Sequence, residues 1–276
     1  MARNFRSMKE ALLEGRGTER PFCCPVHDDA NASASVNVDK GVWFCYACGA
    51  SGKTLDGRHD LKYVSLLKDS PVPAMPTELI RFHRGYRVSP YWESRYGFTV
   101  ADRFDTGTDP VTGFPSVPIY NHSGTVLHGF VLRDGNTQKP EPKYKYPYGV
   151  PISRLLLGHH LVKGTPNLLV MVEGFSDVMA LHQWSLPDRT YVVGVGGAGV
   201  HAAQAELVKQ MNPLAVLVAM DGDDAGQKGN TRSIERFRAI GVRGMAFNWQ
   251  YIGVNDPGEL KENPWEALQS AAHSGR

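Results

Sequence analysis

The chain has 276 residues, a formal net charge of +2 and 42% hydrophobic residues. This length predicts roughly two domains, and the apolar content is sufficient for ordinary hydrophobic cores. The first twenty residues do not resemble a signal peptide, and no run approaches the ~20 apolar residues of a membrane span, so we expect a soluble cytoplasmic protein.

The amino-terminal region holds all four cysteines, within the first 48 residues. In a chain without an export signal, this clustering favours a metal site over disulfides. Two residues separate Cys24 from His27 and Cys45 from Cys48, a spacing typical of the paired knuckles that hold one Zn²⁺ tetrahedrally. Cys23 could replace His27 in a four-cysteine site. We predict Cys24 with His27 instead, because adjacent cysteines cannot easily chelate together.

The segment between the knuckles contains strand-forming residues at 33–38 and 42–44 around a turn, so we predict an antiparallel zinc ribbon over residues 1–55. Four protein ligands close the coordination sphere, which indicates a structural or recognition role. Residues 47–54 approximate a phosphate-binding P-loop, but the first glycine is missing and the motif overlaps Cys48. Residues 56–77 contain three prolines and are predicted to form a linker.

The next region, residues 78–166, is predicted to be a mixed α+β subdomain, with a helix near 91–104 and strands near 117–120 and 126–133. Between 79 and 165, eleven Lys or Arg residues stand against six Asp or Glu residues. Many of these cations lie beside tyrosines, and such a mixture can hold phosphates and stack bases of single-stranded nucleic acid. The alternative is a solvated face with tyrosines packed beneath it.

From residue 167 onward, apolar strands alternate with helical segments, which is typical of a parallel α/β sheet. The predicted strands are 168–172, 191–195, 214–220 and 243–248, and the predicted helices are near 176–184, 201–211 and 226–240.

Acidic residues follow two of these strands: Glu173 comes after the first, and Asp221, Asp223 and Asp224 come after the third. Strands of a parallel sheet present their carboxyl ends at one edge, so these carboxylates can meet there. Mg²⁺ prefers hard oxygen ligands and is commonly held by one or two carboxylates together with substrate phosphates. The sequence therefore predicts a site for divalent cations. The alternative is a solvated turn in which Asp223 or Asp224 caps the next helix.

A glycine-rich turn at 194–199 has the formal marks of a dinucleotide-binding loop. Glu173 already ends the preceding strand, and the acidic cluster is richer than a ribose requires. We therefore expect a tight turn whose amides face the same acidic edge.

Short motifs extend along most of the chain. They are Cys24-Pro-Val-His27-Asp28-Asp29 with Cys45-x₂-Cys48-Gly49; Tyr91-Trp-Glu-Ser-Arg95-Tyr-Gly97 with Arg103-Phe104-Asp105; the strands at 117–120 and 129–133 with Pro142-Lys143-Tyr144; Glu173-Gly174-Phe175-Ser176-Asp177, the glycine turn and Asp221-Gly222-Asp223-Asp224; and Asn255-Asp256-Pro257. As a set, they resemble the bacterial-type (DnaG-type) DNA primase family, especially the short versions encoded by bacteriophages. The acidic motifs match its Toprim signature, which topoisomerases share.

The resemblance implies an α/β protein with a zinc ribbon followed by a polymerase core, in which residues 78–166 form a basic subdomain, 167–254 a Toprim subdomain and 255–276 a carboxy-terminal segment. It implies a template-dependent RNA polymerase that makes short primers on single-stranded DNA from ribonucleoside triphosphates. Glu173, Asp221 and Asp223 would hold two or more Mg²⁺ or Mn²⁺ ions, and Glu173 would also assist proton transfer. The residues implied to contact template or nucleotide are Arg95, Arg133, Lys143 and Lys145.

The little sequence after the Toprim-like segment leads us to expect a replicative helicase that is a separate protein, in the host cytoplasm if the chain is phage-encoded. Two alternatives remain from the sequence: a non-catalytic DNA-binding or recombination-mediator protein, and a Toprim nuclease or topoisomerase fragment. The three carboxylates speak against the first alternative, because DNA binding alone gives no reason to concentrate negative charge near phosphates.

Overall fold

The computed structural model describes residues 5–24, 32–47, 74–76, 79–80, 88–134, 144–147 and 150–274, together with the backbone of 51–53. Two compact units are present. One comprises residues 1–73 and 148–152, and the other comprises 74–147 and 153–276. The predicted linker, residues 56–77, lies largely outside the described residues, and the domain boundaries proposed from the sequence stay predictions.

The first unit contains the predicted antiparallel ribbon. Helix α1 (Met8–Glu14) begins at Ser7, whose side chain accepts a hydrogen bond from the backbone of Glu10. Four strands pair in sequence order: β1 (Glu19–Phe22), β2 (Ala34–Asn37), β3 (Val42–Cys45) and β4 (Ser51–Lys53). Alternate residues of β2 and β3 are buried, as expected for a sheet with one solvated face. Residues 51–53 form a strand rather than the helix that a P-loop requires.

The second unit begins with two short helices where the sequence predicts one. Helix α2 (Pro90–Tyr96) ends at Gly97, and α3 (Phe98–Arg103) begins immediately after it. Gly97 has φ +83° and ψ 158°, a conformation that glycine adopts readily and that interrupts a helix. An antiparallel sheet follows, with its strands in sequence order: β5 (Gly107–Thr108), β6 (Pro115–Tyr120), β7 (Leu127–Arg133) and β8 (Tyr144–Lys145).

The predicted parallel sheet makes up the rest of this unit. Its strands are β9 (Leu168–Val172), β10 (Thr190–Gly194), β11 (Ala215–Val218) and β12 (Gly244–Ala246), in the spatial order β10-β9-β11-β12. All three described pairings are parallel. Every residue of β9 is buried, which is the pattern of a central strand covered on both faces.

Four helices accompany the parallel sheet: α4 (Phe175–Leu181), α5 (Ala202–Met211), α6 (Asp224–Ala239) and α7 (Trp265–Ser274). Short 3₁₀ helices span Ile152–Arg154, His159–Leu161, Trp249–Ile252 and Pro257–Glu259. One face of the sheet packs in a core that includes Met171, Val218, Val208 of α5 and Phe237 of α6. Among the described residues, no helix is both long and apolar enough to cross a membrane.

Candidate functional site

The strand order brings Glu173 and Asp221 to one edge of the parallel sheet. Glu173 follows β9 directly, and Asp221 lies three residues beyond the end of the neighbouring strand β11. The register, in which Val218 pairs with Met171, aligns the two strand ends. The backbone amide of Asp221 donates a hydrogen bond to the Glu173 carboxylate. Two carboxylates predicted from the sequence are therefore neighbours in space.

Two further carboxylates line the same cleft. Asp177 lies in the first turn of α4, where one oxygen accepts a hydrogen bond from the Gly174 amide at 2.8 Å. Asp256 precedes the 3₁₀ helix Pro257–Glu259 and accepts a hydrogen bond from the amide of Gly258. The backbone carbonyl of neighbouring Asn255 accepts a 2.7 Å hydrogen bond from Gly222, which fixes the loop beside the acidic turn. Both aspartates lie in motifs of the primase resemblance, but neither was predicted from the sequence as a site residue.

Burial and mutual repulsion make these carboxyl groups hard to ionise. Burial raises the pKa of Asp221 to about 8, and the charges of Glu173 and Asp177 add to the effect. Burial likewise raises the pKa of Glu173 to about 7, with Asp177 the next cause. The pKa of the more deeply buried Asp177 rises to about 6, chiefly through burial. Each charge requires a compensating proton or cation.

The acidic wall fits a hard divalent cation that completes its coordination with substrate oxygens. One carboxylate oxygen of Asp221 is buried and has no hydrogen-bond partner among the described residues, so it is available as a ligand. Within the same residues, no three acidic, histidine or cysteine side chains are already gathered closely enough to hold a metal ion. Mg²⁺ does not require such a cage, because it commonly takes one or two carboxylates together with phosphates and water.

Asp223, the third predicted ligand, occupies a different position. It is exposed, and its side chain accepts a 2.8 Å hydrogen bond from the Gly226 amide as the N-cap of α6. It does not line the cleft described above, although its charge contributes to the raised pKa of Glu173. The capping role considered as an alternative is thus present, and metal ligation by Asp223 stays a prediction.

The same cleft, which has a volume of about 330 Å³, is also lined by two arginines and two tyrosines. The guanidinium of Arg133 lies 5.5 Å from the ring centre of Tyr91 and 5.1 Å from that of Tyr144. Arg133 also donates a 2.8 Å hydrogen bond to the Tyr144 hydroxyl. Arg95 donates to the Tyr96 hydroxyl at 2.9 Å. These contacts hold both cations at the cleft that the carboxylates also line, where they can bind an anion.

Of the two predicted lysines, Lys145 lies within the described residues and does not line this cleft. Lys145 follows Tyr144 on β8, is largely exposed and forms an ion pair with Asp134 at 3.2 Å. Lys143 lies outside the described residues. A role for either lysine in nucleic-acid or nucleotide binding therefore stays a prediction.

The glycine-rich turn after β10 faces the acidic edge, as expected. Gly196 and Gly197 line the cleft, and the Gly196 amide donates a 2.7 Å hydrogen bond to the backbone carbonyl of Glu173. This bond ties the turn to the end of β9. The turn thus shapes the acidic cleft rather than a separate dinucleotide site.

In the ribbon, Cys24 and Cys45 are buried in one core cluster. The Ser33 hydroxyl lies 3.3 Å from the sulfur of Cys45, a contact suited to orienting a metal-bound thiolate. Cys23 is partly exposed, whereas its neighbour Cys24 is only 4% exposed. This burial favours Cys24 over Cys23 as a ligand. The other two predicted ligands, His27 and Cys48, lie outside the described residues.

We expect the Mg²⁺-free protein to become less stable as pH rises from about 6.5 to 8.5. In this window Asp221 and Glu173 hold protons in the folded state but not in the unfolded chain, so the free energy of unfolding falls as pH rises through their folded pKa values. His159, His160 and His182 have lowered pKa values of about 4, 4 and 3, so their effect on the free energy of unfolding is largest below pH 6.5 and fades above it, as the unfolded chain loses the same protons.

The expected loss is about 1 to 3 kcal/mol. Urea unfolding at several pH values, with zinc retained, measures it, and Mg²⁺ should restore part of the lost stability at pH 8.5. A stability that is constant across this window, or one that Mg²⁺ lowers, would contradict the expectation.

Comparison with protein families identifies two regions. Residues 9–68 match the CHC2 zinc finger of DnaG-type proteins, and residues 170–260 match a Toprim-like domain. The first match covers the ribbon, and the second covers the strands and loops that carry the four carboxylates of the cleft.

Several relatives and solved structures similar to this chain are DNA primases. The Legionella pneumophila DNA primase is 23% identical over 295 residues, covering 81% of this chain and 50% of that protein. The Aquifex aeolicus primase structure, with its zinc-binding and RNA polymerase domains, has a TM-score of 0.55 at 22% identity and covers 95% of this chain and 80% of that one. A DnaG primase catalytic domain bound to single-stranded DNA has a TM-score of 0.56 at 22% identity, covering 71% and 76%.

The chain spans about half the length of the curated relatives that match it over most of its own length. The α/β fold predicted from the sequence, with an antiparallel zinc-ribbon region and a parallel sheet, is confirmed. With both family regions present in the expected order, the chain belongs to the DnaG-type DNA primase family.

Proposed function

We propose that this chain is a DNA primase, a template-dependent RNA polymerase that makes short RNA primers on single-stranded DNA. The observation that carries the proposal is a cleft lined by both kinds of charge, in which Glu173, Asp177, Asp221 and Asp256 stand with Arg95 and Arg133. Carboxylates alone would repel a nucleotide, and arginines alone would bind phosphates without a metal site. Together the two sets of side chains suit a nucleoside triphosphate with its divalent cation.

The chemistry joins the 3′-hydroxyl oxygen of one nucleotide to the α-phosphorus of the next. The bond from this phosphorus to the pyrophosphate oxygen breaks, and pyrophosphate leaves. Glu173 is proposed to receive the proton of the attacking hydroxyl, because its pKa of about 7 is near the working pH. Arg95 and Arg133 are proposed to hold the phosphates in line for displacement.

The proposed ligands of two or more Mg²⁺ or Mn²⁺ ions are Glu173, Asp221 and Asp223. These ions would neutralise charge on the transferred phosphoryl group and on pyrophosphate. In the ribbon, the proposed ligands of one structural Zn²⁺ are Cys24, His27, Cys45 and Cys48. Their soft donor set fits zinc, and the burial of Cys24 and Cys45 in one core fits a closed site.

The proposed partners are a single-stranded DNA template, ribonucleoside triphosphates and a replicative helicase that is a separate protein. A DnaG catalytic domain of similar fold has been solved bound to single-stranded DNA, which supports the first. The cytoplasm, where a replicating template is accessible, is the proposed location.

The test is incubation of the wild-type protein with single-stranded DNA of varied sequence, labelled ribonucleotides and Mg²⁺ or Mn²⁺. We expect short RNA products that disappear when either template or metal is omitted. Absence of RNA on every template would contradict the proposal. Cleavage of labelled DNA under the same conditions would instead identify a Toprim nuclease or topoisomerase, and DNA binding without either reaction would identify a binding or mediator protein.

A further inference from the structure

Tyr146 lines the cleft together with Arg95 and Arg133, and it lies on the short segment that follows β8. The next residue, Pro147, packs directly against β7 at Gly129. A Cβ atom added to Gly129 would lie only 2.6 Å from the Pro147 ring, and Gly129 has φ +154°. A glycine is therefore needed at this point of β7 for Pro147 to approach, and this contact fixes the backbone that carries Tyr146.

The Tyr146 hydroxyl is not used within the protein. Among the described residues it has no hydrogen-bond partner, and no hydrogen bond contributes to its pKa. Four other tyrosine hydroxyls do have partners: Tyr96 with Arg95, Tyr120 with Asp105, Tyr144 with Arg133, and Tyr191 with the Lys163 carbonyl. Tyr146 thus presents an open hydroxyl to the cleft, whereas the Tyr144 hydroxyl beside it is engaged by Arg133.

The surroundings determine what kind of group this hydroxyl can bind. Burial and the nearby charges of Glu173 and Asp177 raise the pKa of Tyr146, so the phenol stays protonated at neutral pH. It therefore adds a neutral donor to the cleft without adding negative charge. Arg95 and Arg133 line the same cleft, and their positive charges favour the binding of an anion there. Hydrogen bonds to charged oxygens are stronger than those between neutral groups.

We infer that the Tyr146 hydroxyl donates a hydrogen bond to a phosphate oxygen of the incoming nucleoside triphosphate. The inference rests on the proposed function and assigns Tyr146 as a substrate-positioning residue that acts with Arg95 and Arg133. The triphosphate would lie in the cleft, with its metal-bound oxygens toward Glu173 and Asp221 and another oxygen toward the phenol.

The test compares Tyr146→Phe, which removes only the hydroxyl, with Tyr191→Phe, which removes a hydroxyl outside the cleft-lining set. Tyr146→Phe should raise the KM for ribonucleoside triphosphates about tenfold or more, while kcat changes less than about threefold. Its Tm should match that of the wild-type protein, because no protein hydrogen bond is lost. Tyr191→Phe should leave KM unchanged.

Calorimetric titration with inorganic tripolyphosphate in the presence of Mg²⁺ provides a second arm that does not depend on primer synthesis. Tyr146→Phe should weaken tripolyphosphate binding by about the same factor as it raises KM. Unchanged tripolyphosphate affinity would overturn the phosphate contact, even if KM rises through a contact to the ribose. If the wild-type protein makes no primers but binds tripolyphosphate through Tyr146, the proposed function fails and the contact stands.

Discussion

Replacement of Asp221 by asparagine should reduce RNA synthesis by about a thousandfold or more, since several kcal/mol of transition-state stabilisation depend on correct metal placement. Asp221 has the largest raised pKa of the cleft carboxylates, and one of its oxygens is buried without a hydrogen-bond partner among the described residues. Asparagine preserves the shape of the side chain but provides a much weaker ligand for Mg²⁺. Initial rates over a range of Mg²⁺ and Mn²⁺ concentrations measure the effect.

Asp221→Asn should not destabilise the fold. At pH 8 and without Mg²⁺ it should increase the free energy of unfolding by about 1 to 2 kcal/mol, because a repelled, partly buried carboxylate is replaced by a neutral group. Asp224→Asn is the matched control, because Asp224 is exposed in the first turn of α6 and does not line the cleft. It should retain most activity. Equal primer yield from Asp221→Asn and the wild type would remove Asp221 from the site.

Cys24→Ser and Cys45→Ser should each eliminate bound zinc and the ordered ribbon. Binding of a structural Zn²⁺ contributes roughly 10 to 16 kcal/mol of apparent free energy in small zinc domains, far more than a small ribbon core supplies by itself. Zinc content should fall from about one ion per chain to near zero, as measured by plasma mass spectrometry of the purified protein. Limited proteolysis should then cut the amino-terminal region first.

Cys23→Ser is the control that tests the ligand register. Cys23 is partly exposed, and its backbone amide donates a 2.8 Å hydrogen bond to the Phe5 carbonyl, which a serine at this position can preserve. This variant should keep its zinc. Retention of zinc by Cys24→Ser together with its loss from Cys23→Ser would show that the register proposed here is wrong.

The parallel sheet could be predicted because its strands are continuous apolar runs that alternate with helices. Burial of every residue in β9 explains why Leu168–Val172 is recognisable without knowledge of its neighbours. The strand order was not predictable in detail, but the shared edge was. The placement of Glu173 beside Asp221 followed from the general rule that parallel strands end together.

Other features depend on tertiary contacts that periodicity does not encode. The helical pattern continues through Gly97, yet the backbone there turns out of the helix. Asp256 reaches the cleft only because its loop is hydrogen-bonded to Gly222. On β8, alternation turns Tyr144 toward the cleft and leaves Lys145 with Asp134, so the charged residue that looked functional lies outside the cleft-lining set.

The strand order β10-β9-β11-β12 also affects when the acidic cleft can form while the chain is being synthesised. Between the paired strands β9 and β11, the chain forms α4, β10 and α5. The chain must therefore lose the conformational entropy of closing this long loop before the pairing can stabilise the sheet. The loop that carries Asp256 comes later still. A nascent chain that already contains the ribbon strands and the antiparallel sheet therefore still lacks the acidic cleft.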